Sequence, residues 1–207
     1  MSETSLQPAE TDPLEALMTR TAAVLDGHFL LSSGLHSDRY IQCARLLQHP
    51  VLAGQVGKQL AAELQKCTAP NAAAPVDAVV GPALGGIVIA HEVARHLGVR
   101  AIFAERESGT GTLALRRGFS LEPGERVFIV EDVVTTGLSA RETATLVESL
   151  GARVLAFGAV VERTRDHGLR PFASLWQVQP RLFSSGTCPL CAAGTPLSKP
   201  GSRSAVR

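Results

Sequence analysis

Lysine is nearly missing from this chain of 207 residues: only Lys58, Lys66 and Lys199 stand beside 17 arginines. Fixed positive charge is therefore almost always a guanidinium, which holds anions but does not trade protons near neutral pH. Aromatic residues are scarce, 4% with one Trp and one Tyr, which argues against a stacking platform for single-stranded nucleic acid; Trp176 is expected to pack. Basic residues number 20 against 19 acidic ones, leaving no excess for sequence-blind nucleic-acid binding. No apolar run approaches the roughly 18–20 residues that span a bilayer. Met1 to Pro13 carries Glu3, Glu10 and Asp12 and lacks the apolar stretch of a secretory signal. Cys43, Cys67, Cys188 and Cys191 are too few and too uneven for a disulfide framework, so a cytoplasmic location with reduced thiols is expected. No Gly-Lys-Ser/Thr occurs, which removes a Walker A loop. Hydrophobic residues at 45% and charged ones at 19% exclude disorder as the main state and suit one globular domain.

Residues 1–12 read as a disordered polar start. Apolar positions from Pro13 to Leu25 recur at helical spacing, with Asp12 as N-cap and Pro13 in the first turn. A hairpin broken at Ser33-Gly34 follows, then a helix over 50–65 and a Pro-bracketed linker over 66–75. Four nearly continuous apolar runs come next, at 76–80, 100–104, 126–130 and 153–161, as expected of strands buried on both faces of a parallel sheet. Helical segments at 87–97 and 139–150 separate them, which predicts an α/β fold. Residues 106–123 offer no convincing helix, and a stretch that long without regular structure suits a lid. The segment after Pro180 reads as irregular.

The most informative stretch is Val127 to Ala140, VFIVEDVVTTGLSA. An apolar strand runs into Glu131 and Asp132, then a turn of Thr, Thr, Gly and Ser opens a helix. Ligands bind at the carboxyl ends of strands in such sheets, and hydroxyls with helix N-terminal amides suit a phosphate. Adjacent carboxylates would repel that phosphate, so they should face ribose hydroxyls or Mg²⁺. The plain structural alternative is that both acids and hydroxyls only cap the strand and helix. This pattern resembles the phosphoribosyl-pyrophosphate signature of type I phosphoribosyltransferases. Phe29 to Gly34 with His36 to Tyr40 is similar to the hairpin of the orotate phosphoribosyltransferases. Gly81-Pro-Ala-Leu-Gly-Gly86 is similar to their pyrophosphate loop, and Val161-Glu162-Arg163 to the acidic-Arg pair near their base pocket.

The resemblance implies a type I phosphoribosyltransferase fold: one domain over 13–207, with a hood from 13–50 and about 170–207, a core over about 51–169 and a lid over about 106–118. It implies transfer of a 5-phosphoribosyl group from phosphoribosyl pyrophosphate to orotate, with Mg²⁺ as cofactor. Glu131 and Asp132 would hold the ribose hydroxyls, and Val133, Val134, Thr135, Thr136, Gly137, Leu138 and Ser139 would cradle the 5′-phosphate. Gly85, Arg106, Arg116 and Arg117 would face pyrophosphate. Arg163, Tyr40, Ile41 and Thr135 would meet orotate, with Arg106 and Asp132 as the catalytic pair. A homodimer with a lid reaching into the neighbouring site is implied, with no nucleic-acid or membrane partner. Many relatives carry Lys where this chain has Ser32 and Gly85, and their lid carries Lys and His where this one has only arginines. A transferase for another base, or a non-catalytic phosphoribosyl-pyrophosphate-binding regulator, is the alternative. Cys188-Pro-Leu-Cys191 has metal-knuckle spacing but supplies half of a tetrahedral zinc site. A second subunit or Cys43 and Cys67 could supply the rest; reduced structural thiols, with no protein-held metal, is the expectation. His28 and His36 are placed near the base pocket with nothing in their spacing to mark a catalyst. Residues 199–203 are expected to be a loose tail, with a phosphate contact as the alternative.

Overall fold

The computed structural model describes residues 13–31, 33–68 and 75–200. Its main sheet has six strands in the order β5-β4-β3-β6-β7-β8. These are β3 (Ala78–Pro82), β4 (Arg100–Arg106), β5 (Leu113–Leu115), β6 (Arg126–Val134), β7 (Arg153–Glu162) and β8 (Phe172–Gln177). All neighbours pair in parallel except β5, which returns antiparallel on β4. Strand β3 is buried along its whole length, which explains why its residues are apolar without alternation.

Helices α3 (Pro50–Thr68) and α4 (Gly86–Leu97) cover one face and α5 (Leu138–Ser149) the other. Leu60 and Leu64 of α3 are fully buried, each contributing about 2 kcal/mol on burial. Gly57 lets α3 approach α4: a Cβ there would lie 2.5 Å from Glu92 Cβ. A second, smaller sheet of β1 (Val24–Leu30), β2 (His36–Ile41) and β9 (Leu182–Phe183) forms the hood. A one-turn helix α2 (Ala44–Leu47) joins it to α3.

Several expectations are corrected. The first helix, α1 (Leu14–Arg20), ends before Val24 and Leu25, because both residues pair with β2. Asp12 and the segment 1–11 lie outside the described residues, and Pro13 occupies the N-cap. Helix α3 absorbs Lys66 to Thr68; residues 69–74 of the expected linker lie outside the described residues. Strand β6 does not stop at Val130 but continues to Val134, since β7 supplies pairing partners as far as Glu162. The acidic pair therefore sits within the strand. Residues 106–118 are partly regular, because Leu113 to Leu115 pair with Ala104 to Arg106. Strand β8 belongs to the main sheet, so the chain returns to the hood after 177 rather than at about 170. The segment after Pro180 is ordered into β9, a 3₁₀ turn (Ser185–Thr187), the short helix α6 (Pro189–Ala192) and a bridge between Phe29 and Ser198. The loose-tail expectation fails for Lys199, whose neighbour Ser198 exchanges backbone hydrogen bonds with His28 and Leu30, both 2.8 Å. Residues 201–203 lie outside the described residues.

Candidate active site

Side chains alternate along a strand, and β6 uses this to separate its two acids. Asp132 lines a cavity of about 670 Å³ between hood and core, whereas Glu131 is not among its lining residues. The core contributes Asp132, Val133, Thr135, Thr136 and Arg163; the hood contributes Leu30, Leu31, Tyr40, Ile41 and Gln42. Lys199 and Pro200 close the rim. A second cleft of about 630 Å³, around Asp26, Arg39 and Arg181, contains none of the residues of the acidic pair, the Thr-Thr-Gly turn or the Gly81–Gly86 loop. Its charges neutralise one another through Arg39–Asp26 at 2.7 Å and Arg181–Asp38 at 2.5 Å.

The turn after β6 reverses at Gly137, whose φ of +73° is open to glycine and strained for other residues. A Cβ there would also crowd Arg141 and His167. Arg141 braces the turn by donating from Nη1 to the carbonyls of Thr136 (2.9 Å) and His167 (2.7 Å). The Leu138 amide that opens α5 donates to the Thr136 hydroxyl at 3.4 Å, and this turn of hydroxyls and helix N-terminal amides is a donor set suited to a phosphate.

Burial dominates the electrostatics. Desolvation, reinforced by the neighbouring Asp132, pushes the Glu131 carboxyl up to about 7, against a pull from the Ala140 amide. Desolvation also raises Asp132, opposed by the Val133 amide that donates to its Oδ1 at 2.9 Å. The Arg163 guanidinium is pulled below its ordinary value by burial, and its Nε is buried with no partner. Its backbone N–H donates to Val134 O at 2.9 Å, which fixes where the side chain leaves the sheet. The preceding residue, Glu162, does not pair with it: its carboxylate accepts from Ser174 Oγ at 2.9 Å and meets His167 Nε2 at 3.2 Å. A half-buried guanidinium with its Nε unsatisfied and a half-buried carboxylate on the same cavity suit a ligand that carries an anion at one end and hydroxyls or a cation at the other.

The structure therefore brings Tyr40, Ile41, Asp132, Val133, Thr135, Thr136 and Arg163 around one cavity. Gly85 touches the same centre from the β3–α4 loop, since a Cβ on it would lie 2.4 Å from Asp132 Oδ1. The lid arginines are elsewhere. Arg106 donates to Glu142 of α5 at 2.5 Å and to Gly111 O at 2.6 Å. Arg117 pairs with Glu105 at 3.0 Å and lies over Phe103. Neither these nor Arg116 lines the cavity. Sequence reasoning missed Gln42 and Arg141, for which the sequence carried no signal; Lys199, weighed as a phosphate contact against a loose tail, lines the cavity. His28 and His36, expected near the base, instead face away into the hood. The oxygen donors of Asp132, Thr135 and Thr136 fit Mg²⁺, a hard cation that keeps part of its water and prefers substrate phosphates to a full protein cage.

Residues 45–174 match the phosphoribosyl transferase domain family. The chain is 45% identical over 193 residues to an orotate phosphoribosyltransferase of Thermotoga maritima, covering 92% of this chain and 98% of that one. It is 47% identical over 195 residues to one from Pelotomaculum thermopropionicum, covering 93% and 97%. The crystal structure of orotate phosphoribosyltransferase from Aeropyrum pernix superposes with a TM-score of 0.65 at 29% identity, covering 79% of this chain and 93% of that one. With the parallel sheet and the phosphate-type turn in place, and this level of identity running over more than nine-tenths of both chains, the chain belongs to the orotate phosphoribosyltransferase family.

Proposed function

We propose that this chain transfers the 5-phosphoribosyl group of phosphoribosyl pyrophosphate to orotate, giving orotidine 5′-monophosphate and pyrophosphate in pyrimidine-nucleotide synthesis. The observation that carries the choice of base is Arg163: a guanidinium whose buried Nε lacks a partner, in a cavity whose other wall is apolar. An anionic pyrimidine satisfies it, since a carboxylate takes two parallel hydrogen bonds from a guanidinium. A neutral purine leaves the charge uncompensated. Tyr40 and Ile41 close on the ring from the hood.

The 5′-phosphate rests on the turn Thr135 to Ser139 and the first amides of α5. The ribose hydroxyls donate to Asp132, whose raised proton affinity makes it a strong acceptor; Glu131, on the α5 side, supports that end of the turn. The ring nitrogen bonds to the anomeric carbon as the carbon–oxygen bond to pyrophosphate breaks. Catalysis here is alignment of nucleophile and leaving group together with electrostatic neutralisation. When bound, Mg²⁺ would neutralise the pyrophosphate oxygens, and Asp132 with the Thr135 and Thr136 hydroxyls would be the protein groups to hold it. No lining residue of this chain's cavity is a lid arginine, which supports a homodimer in which a second copy's lid completes each site. Among the described residues no helix is long and apolar enough to cross a membrane, and we read the enzyme as cytoplasmic.

An absorbance assay with orotate, phosphoribosyl pyrophosphate and Mg²⁺, run beside adenine, hypoxanthine, guanine and uracil, tests the reading. Consumption of orotate alone is expected. Turnover of a purine would transfer the chain to another base, and tight phosphoribosyl-pyrophosphate binding without turnover would make it a sensor.

A further inference from the structure

The hood holds a cluster that the transferase reading does not use. His28 on β1 and His36 on β2 are 3% and 5% exposed, Cys188 at the start of α6 is 3% exposed, and Cys191 lies one turn further on. One ligand atom from each lies within 4.8 Å of every other. His28 Nε2 is 2.8 Å from His36 Nδ1, 3.5 Å from Cys188 Sγ and 3.7 Å from Cys191 Sγ. Cys191 Sγ is 3.3 Å from His36 Nδ1.

We propose that His28, His36, Cys188 and Cys191 form a structural site for one tetrahedral Zn²⁺-class cation that staples the C-terminal segment to the hood hairpin. A zinc tetrahedron with about 2.1 Å to nitrogen and 2.3 Å to sulfur has edges of roughly 3.3–3.8 Å. These three sulfur–nitrogen separations already match these edges. The nitrogen pair is tighter, and a cation between the two rings opens it by about 0.5 Å. The donor chemistry selects the cation: two thiolates and two imidazoles suit a borderline-soft ion and neutralise its double charge, whereas Mg²⁺ wants oxygen.

The surroundings are those of a built site. His28 Nδ1 is 2.9 Å from the carbonyl oxygen of Thr195. Donation there puts the ring proton on Nδ1 and leaves the Nε2 lone pair facing the cluster, the second-shell arrangement that orients metal-binding histidines. His36 lies opposite Leu30, and the hairpin register shifts between Asp26 and Phe29, so His28 sits in the irregular stretch of β1 and meets His36 directly. Cys188 and Cys191 have the knuckle spacing and sit on successive corners of α6. The hood also needs such a staple: β9 pairs with β2 through only two residues, His36–Phe183 and Ser37–Leu182. Small layers with little core are commonly held by a metal. Beyond α6 the chain returns to hydrogen-bond Leu30 and His28 through Ser198, and so delivers Lys199 to the rim of the active-site cavity.

This inference does not depend on the base used by the active site, and its test needs no turnover. The full chain, expressed without a histidine tag and kept reduced, is assayed for zinc as isolated, then stripped with a chelator and titrated with Co²⁺. One zinc per chain is expected, and one Co²⁺ per chain with thiolate charge-transfer absorption and the visible bands of tetrahedral cobalt, both erased by Zn²⁺. The Cys188→Ser/Cys191→Ser variant should lose the charge-transfer band, while Cys67→Ser on α3 should keep it. Should the double variant fail to fold, alkylation of wild-type Cys191 decides: Zn²⁺ should slow it at least tenfold. Cobalt binding without thiolate absorption, an absorption that survives the double substitution, unprotected Cys191, or a Cys188–Cys191 disulfide in chain freshly isolated without reductant would each overturn the proposal.

Discussion

Arg163 and Glu131 show how burial sets the tasks of individual groups. Arg163 is half-buried with its Nε shielded from water and unsatisfied, so its charge is stabilised by whatever anion enters the cavity. Arg163→Ala should raise KM for orotate about 30- to 100-fold, the worth of a bidentate charge-assisted contact, and leave KM for phosphoribosyl pyrophosphate within a few-fold. Arg163→Lys should recover little, because an ammonium lacks the planar fork. Steady-state kinetics varying each substrate separately checks both; equal weakening towards the two substrates would assign Arg163 to folding. Glu131 gives a pH signature. Its carboxyl titrates near 4.5 in the unfolded chain and about 7 in the folded one. Between those values the folded state keeps a proton that the unfolded state has lost, so stability is fully present below about 4.5 and declines as pH rises through about 7. The loss amounts to at most about 3 kcal/mol, and Glu131→Gln should flatten it. Denaturant titrations of the ligand-free chain across this range measure the slope, and parallel curves for the two proteins would remove Glu131 as its source.

At the scale of elements, close approach of α3 and α4 depends on the missing side chain of Gly57. Gly57→Ala drives a methyl into Glu92 Cβ and backbone of α4 and should cost about 1–3 kcal/mol, or several degrees of Tm, despite its favourable helix propensity. A thermal melt as stable as the wild type would mean that the helices can part. Elements with strong local signatures were legible in the sequence: the four continuous apolar runs are β3, β4, β6 and β7, and the Ser33-Gly34 break is the hood hairpin. The acidic pair and the Thr-Thr-Gly turn were legible too, because strand, turn and helix start are contiguous. Edge strands β5 and β9 were not, being two or three residues long and defined by their partners rather than by periodicity. Strand β8 has no fully buried residue, so its composition carries no continuous apolar run. The His and Cys cluster joins positions about 160 residues apart. The knuckle half was visible, but the histidine half depends on a hairpin register that only the folded sheet displays.

Over the whole molecule, the main open relation is between the cavity and the lid. Arg106 is tied to Glu142 and Gly111 on the outer side of α5, while Asp132 lies in the cavity. Both pairs holding the lid arginines are largely exposed, each worth only a few tenths of a kcal/mol, so these side chains can leave their partners at little cost while Leu113 to Leu115 keep the lid anchored on β4. If the lid serves the neighbouring subunit, each active site is made from two chains, and defects in lid and cavity must complement across the dimer. Arg106→Ala and Asp132→Asn homodimers should each lose at least about 100-fold in kcat/KM, as expected when one charged contact to the reacting groups is removed. Mixed in equal amounts and allowed to exchange, half the dimers become hybrids, each pairing the intact lid of the Asp132→Asn chain with the intact cavity of the Arg106→Ala chain. One site in two is then whole in half the dimers, so activity should return to about a quarter of the wild-type level. A lid that closes on its own chain predicts no recovery at all, because every site would keep one defect. The same mixture run on a sizing column reports whether dimers form, which separates a cis lid from a chain that never pairs.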